Sequence, residues 1–262
     1  MGLLLPHKRK LRLWGDMLSL SLPDVGEHVG GGARGEIEVF SPESRYRLFR
    51  CLHQLKFKRV TFVTLTYPGE FPTDPRVYKG HLKEYRRRFE AKYGKVQAVW
   101  RLEFQERGAP HFHIFYLDCP FIEIGEWCWL WKCVTHTWDM AHELLGVDVK
   151  LVVEGGEQGL IASYVGKYVA KIDERSQNGR SEKCGRWWGR WNIDEEDPIE
   201  IEISDREASL VTSWVLSLGR SGASWEPRDP TVCTLFGNSM GGNEFSRRVQ
   251  GLLAGIEKSK RG

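Results

Sequence analysis

The chain has 262 residues, 41% hydrophobic and 28% charged, an ordinary balance for a soluble globular protein of one catalytic-sized domain with extensions. Its 38 Lys and Arg against 35 Asp and Glu leave a net charge of +3, which by itself does not point to nucleic acid. No apolar run approaches a membrane span, MGLLLPHKRK is too short for a signal peptide, and the six scattered cysteines, free of CxxC pairs, read as reduced thiols of a cytoplasmic protein.

Residues 1 to about 40 carry a basic lead-in and the Gly30-Gly31-Gly32 cluster, so little regular structure is expected there. Ser41-Pro42 is an N-cap and first-turn pair that opens a helix to about Leu55. Val60 to Thr66, β-branched and apolar and stopped by Tyr67-Pro68-Gly69, predicts a strand. Asp74-Pro75 starts a basic helix through about Tyr93, ended by Gly94. Val96 to Phe104 and His111 to Leu117 predict two strands joined at Arg107-Gly108-Ala109-Pro110. A Trp-rich helix over about Ile124 to Leu145, a strand over Val147 to Val153 and a helix over about Glu157 to Ile172 follow. Beyond Asp173 the signals weaken to CGRWWGRWN (184–192), an acidic stretch, one short helix and a polar tail. The order predicts an α+β fold, an antiparallel sheet with flanking helices. The domain division expected is 1–55 as an N-terminal extension, 56–192 as the catalytic domain and 193–262 as a C-terminal extension.

Charge is uneven along this order. Arg76 to Arg107 holds ten Lys or Arg against four acids, whereas Asn192 to Glu207 is rich in Asp and Glu. A basic working region is masked in the total, although each run taken alone also suits a solvated helix face. Arg86, Arg87 and Arg88 in the first run are candidate DNA contacts. Arg186, Trp187, Trp188 and Arg190 could grip unpaired bases by stacking and charge, with core packing of the tryptophans the alternative.

Two segments carry chemistry. In His111-Phe112-His113 the two imidazoles, two residues apart on a strand, share a face. A hairpin turn brings Glu103 of the preceding strand opposite His111. Two imidazoles and a carboxylate suit a divalent metal with open positions for substrate oxygens. Glu106 is a rival third ligand nearer the turn, and two histidines hydrogen-bonded within a sheet are the plain alternative. In YVGKYVAK (164–171), Tyr164, Lys167, Tyr168 and Lys171 fall on one helical stripe, with Ile161, Val165, Val169 and Ile172 on a different side. A lysine beside a phenol favours the phenolate, the nucleophilic form. An amphipathic helix with interfacial tyrosines has the same pattern.

FVTLTYP (62–68), RLEFQERGAPHFHIF (101–115) and YVGKYVAK (164–171), in that order, resemble the three motifs of HUH-type rolling-circle replication initiators. The match is closest to the two-tyrosine phage and plasmid branch that includes the gene A proteins of microviruses and the gene II proteins of filamentous phages. The resemblance covers about residues 56 to 192. It implies a ferredoxin- or RRM-like core, histidines on a central strand, and a tyrosine helix facing them. It makes His111, His113 and Glu103 ligands of Mg²⁺ or Mn²⁺, Tyr164 and Tyr168 the nucleophiles, and Lys167 and Lys171 their partners. The implied reaction is attack on single-stranded or hairpin origin DNA, giving a 5′-phosphotyrosine and a free 3′-OH, with rejoining after one round of synthesis. Each tyrosine heads its own YxxK, so their order of use stays open. No GxxxxGK[ST] is present, so no nucleotide cofactor is expected and unwinding falls to a host helicase, with synthesis by a host polymerase. The implied setting is the cytoplasm of a bacterial or phage-infected cell, without a membrane partner. A single-strand transposase shares this chemistry, and a catalytically inactive DNA-binding regulator is the reading from a different class.

Overall fold

The computed structural model describes residues 9–15, 17–20, 37, 40–55, 57–138, 140–154, 183–217, 233–236 and 242–261. Its elements in chain order are β1 (Arg9–Trp14), β2 (Met17–Leu20), α1 (Pro42–Gln54), β3 (Arg59–Thr66), α2 (Pro75–Tyr93), β4 (Ala98–Phe104) and β5 (Pro110–Leu117). There follow α3 (Ile124–Thr135), α4 (Met140–Leu145), β6 (Val147–Glu154), β7 (Trp188–Trp191), β8 (Ile199–Ile203), α5 (Asp205–Ser217), β9 (Cys233–Phe236) and α6 (Gly242–Arg261). The helix expected over 157–172, with Tyr164, Lys167, Tyr168 and Lys171, lies outside the described residues.

Local chemistry sets these boundaries. Ser41 Oγ accepts from the Ser44 amide at 3.2 Å, capping α1. Asp74 does the same for α2 through the Arg76 amide at 2.8 Å, and Gly94 ends that helix at φ 83°, where a side chain would be strained. The β4–β5 hairpin closes through the Gln105 amide to the Ala109 carbonyl at 3.0 Å, with Gly108 at φ 86°.

The main sheet has the order β6-β3-β5-β4-β7 and is antiparallel throughout. Among β3, β4, β5 and β6 the spatial order is fourth, first, third, second, the β-α-β-β-α-β arrangement of a ferredoxin- or RRM-like core. The α+β architecture expected from the sequence is therefore present. Both crossovers lie behind one face of the sheet. Tyr78 of α2 meets Phe112, and Phe89 of α2 and Trp127 of α3 both meet Tyr116. Fully buried aromatics of this kind stabilise the layer by roughly 2–3 kcal/mol each. Because strand side chains alternate, His111 and His113 must face the other way. On that other face α1 lies over the β4–β7 side, where Phe40, just ahead of the helix, sits under Arg101 and Ser44 bonds Trp188, and Thr64, Arg101 and His113 are buried.

Three expectations are corrected. The single helix over Ile124 to Leu145 is two, because His136 caps α3 in the left-handed conformation at φ 56°. The 184–192 segment, where the sequence signals weaken, does form regular structure. Trp188–Trp191 forms β7 beside β4, and a Cβ at Gly189 would stand 2.7 Å from Trp100 Nε1, so that strand position takes glycine. Most visibly, the chain ends are not structureless lead-in and polar tail. β1 and β2 pair with β8 and β9 in a four-stranded antiparallel sheet, order β8-β1-β2-β9, backed by α5 and α6 over a second core of Leu11, Leu18, Leu20, Ile203, Val211 and Leu252. Periodicity missed it because each strand is short and, beyond the local β1–β2 hairpin, pairs with a strand about 200 residues away. Among the described residues no helix is long and apolar enough to cross a membrane.

Candidate active site

The histidine-bearing strand β5 is the middle strand of the sheet. Register partners line up across it in two rows. Asp148, Thr64, His113, Arg101 and Trp188 form one, and Thr66, His111 and Glu103 form the next. Glu103 is thus opposite His111, as the hairpin predicted, whereas Glu106 lies exposed in the turn.

The side chains in these rows touch. Glu103 Oε2 is 3.1 Å from His113 Nε2, and Arg101 Nη1 is 3.0 Å from Glu103 Oε1. His113 Nδ1 is 3.3 Å from Thr64 Oγ1, and His111 Nδ1 is 2.9 Å from Thr66 Oγ1. The two imidazole rings are 4.6 Å apart, and Phe62 stacks on His113 at 5.3 Å. The end of β3 is pinned from behind, where Trp131 Nε1 donates to the Thr66 carbonyl at 2.7 Å and Arg107 donates to the Tyr67 and Gly69 carbonyls.

The donor set fits a hard or borderline divalent ion in kind and adjacency. Two ligand atoms at right angles on an ion about 2.1 Å from each stand about 3.0 Å apart, and Glu103 Oε2 and His113 Nε2 are 3.1 Å apart. As the side chains stand, however, no group of three His, Cys, Asp or Glu among the described residues is gathered closely enough to hold a metal. The Glu103–His113 pair is formed, and His111 is the neighbour whose ring is held on Thr66.

Electrostatics suit ligation. Burial, then the positive potential of His113, push His111 down to about 4, so its imidazole is neutral at physiological pH. Burial pushes the Glu103 carboxyl up, but the His113 hydrogen bond and the Arg101 charge outweigh it and hold the group below the usual carboxylate value. A testable consequence follows for metal-free protein. Between pH 6.5 and about 4 the unfolded chain protonates His111 and the folded site does not, so stability is full above that window and falls with pH through it, by on the order of 3 kcal/mol. Urea midpoints in EDTA should drop more steeply from pH 7 to 4 in the wild type than in His111→Gln. Equal slopes would contradict the burial of a neutral His111.

Arg101, Thr64, Thr66 and Asp148 were not singled out in the sequence as site residues. The signal was available in part: Thr64-Leu65-Thr66 has the same two-residue spacing as the histidines it faces. The candidate DNA contacts fare differently. Arg87 and Arg88 pair with Glu84, and Arg86 with Glu90 and Asn192, all on α2 behind the sheet. Arg190 pairs with Glu195. Trp187 is 2% exposed and packed against Phe40 and Phe104, the core-packing role of the two considered for it. Trp188 is partly buried, its indole N–H donating to Ser44 Oγ, and Arg186 is exposed.

Residues 60–173 match the family model for replication-associated protein ORF2/G2P. The ORF2/G2P-like segment begins at β3 and takes in Glu103, His111 and His113, and also Tyr164, Lys167, Tyr168 and Lys171. It supports a replication-associated role for the domain built on the main sheet. No curated protein and no solved structure matches the chain.

Proposed function

We propose that this protein is a rolling-circle replication initiator of the two-tyrosine HUH type, which nicks single-stranded origin DNA and rejoins it. The observation that carries the reading is the cluster of Glu103, His111 and His113 on one face of an antiparallel sheet, inside the segment similar to replication-associated proteins.

In this reading Glu103, His111 and His113 hold Mg²⁺ or Mn²⁺, which when bound stabilises negative charge on the scissile phosphate. The phenolate oxygen of Tyr164 or Tyr168 attacks phosphorus, and the bond from phosphorus to the 3′ oxygen breaks. The 3′ oxygen takes up a proton and becomes the priming 3′-OH, while the 5′ phosphate stays on the tyrosine. Lys167 and Lys171 favour the phenolate of the tyrosine beside them. Glu103 is kept ionised and oriented by Arg101, so it is ready to bind a cation without first losing a proton. The strand being cut must lie unpaired across the histidine face, since a phenol on the helix that the sequence predicts has to reach a splayed backbone.

The proposal expects a covalent, detergent-resistant product with labelled single-stranded or hairpin origin DNA and Mn²⁺, and little with the same sequence as linear duplex. Equal cleavage of fully paired duplex would overturn the single-strand requirement. Absence of any covalent product on unpaired origin DNA would overturn the enzyme reading.

A further inference from the structure

The His111-Phe112-His113 segment of β5 is met on β3 by Thr64-Leu65-Thr66, paired residue for residue in register, Thr64 with His113 and Thr66 with His111. Both hydroxyls reach the Nδ1 atom of the histidine opposite, at 3.3 and 2.9 Å. We infer that Thr66 and Thr64 are positioning residues of the metal site, whose hydroxyls hold the Nδ1 edges of the two imidazoles so that both Nε2 atoms are presented to the cation. This rests on the metal-dependent reading above and adds to it the groups that fix the ligands.

The physical argument is one of ring orientation. An imidazole on a strand turns about its last side-chain bond, and a metal needs one nitrogen deprotonated and aimed. A hydrogen bond at the other nitrogen sets both the tautomer and the angle. A hydroxyl suits this task because it donates or accepts. Before metal arrives, His113 Nε2 faces the Glu103 carboxylate, which can only accept, so Thr64 serves as donor to Nδ1. Once Nε2 is given to a metal, Nδ1 carries the proton and the same threonine accepts it without moving. Thr66 does this for His111. Its backbone is held by the Trp131 indole and by its own amide, which donates to the Gly146 carbonyl at 2.8 Å, so the hydroxyl is carried on a fixed strand end. The spacing Thr-x-Thr is therefore required by the spacing His-x-His on the neighbouring strand.

Thr66→Val and Thr64→Val remove the hydroxyls while keeping β-branched residues on β3, and Thr66→Ser restores the hydroxyl alone. Calorimetric titration of the full chain with Mn²⁺, without DNA, should show affinity lowered about 10- to 100-fold in Thr66→Val and recovered in Thr66→Ser. In metal-free protein, ¹⁵N spectra of labelled histidine should show His111 held as one tautomer in the wild type. In Thr66→Val the proton should move to the other ring nitrogen or be shared between the two. Wild-type Mn²⁺ affinity in both valine variants, or an unchanged His111 tautomer in Thr66→Val, would overturn the inference. A wild-type chain that binds no Mn²⁺ would instead sink the metal reading, and the tautomer spectrum would still judge the role of Thr66.

Discussion

Under the proposed function, replacing His111 and His113 together with alanine should abolish nicking while most affinity for single-stranded DNA survives. The two rings stand 4.6 Å apart on the middle strand, and Glu103 joins them through His113. With both gone, a lone carboxylate would be left to hold the proposed cation, and the scissile phosphate would lose its charge stabilisation. Loss of one such electrostatic contributor commonly costs 10²–10³ in rate, and loss of two ligands should take turnover below detection. Binding of DNA would depend instead on phosphate contacts by surface Lys and Arg, which the double substitution leaves in place. Cleavage rates and filter-binding affinities measured side by side check this. Full nicking by the double variant, or undiminished activity in excess EDTA, would contradict it.

The paired tyrosines carry the second large effect. Tyr164 and Tyr168 are four residues apart in a segment whose sequence predicts a helix, one turn from each other, so both can serve one site without domain movement. One phenol can hold the 5′ end while the other attacks the regenerated junction. Either Tyr→Phe substitution alone should leave some first cleavage and impair the coupled cut-and-rejoin step. Tyr164→Phe with Tyr168→Phe should form no adduct. Wild-type strand transfer by either single variant would reduce the scheme to one working tyrosine and a structural partner.

The core around the site was legible because its signals are local. β3, β4, β5 and β6 announce themselves by β-branched and aromatic runs, and α1 and α2 by Ser41-Pro42 and Asp74-Pro75, whose capping bonds are present. The shared face of His111 and His113, and Glu103 across from them, follow from the two-residue strand period and one hairpin. What was not legible depends on partners distant in sequence. The sheet of β1, β2, β8 and β9 joins opposite ends of the chain, and four- to six-residue strands carry too little pattern to announce it. Arg101 reads as one more cation in a basic run, and only burial to 1% exposure beside Glu103 sets it apart. Trp187 illustrates the converse, since an Arg/Trp cluster suggests base stacking until the core claims the ring. Thr64 and Thr66 looked like filling in an apolar strand because a register cannot be read from one strand alone.

In the proposed reaction a tyrosine of this chain becomes joined to a 5′ phosphate under the control of the histidine face. Mass spectrometry of peptides from the covalent complex formed on single-stranded origin DNA with Mn²⁺ tests it most directly. A phosphonucleotide is expected on Tyr164, Tyr168 or both, lost when EDTA replaces the metal and absent from His111→Ala with His113→Ala. An adduct on any residue other than these two tyrosines, or one that forms equally well without the metal, would contradict it.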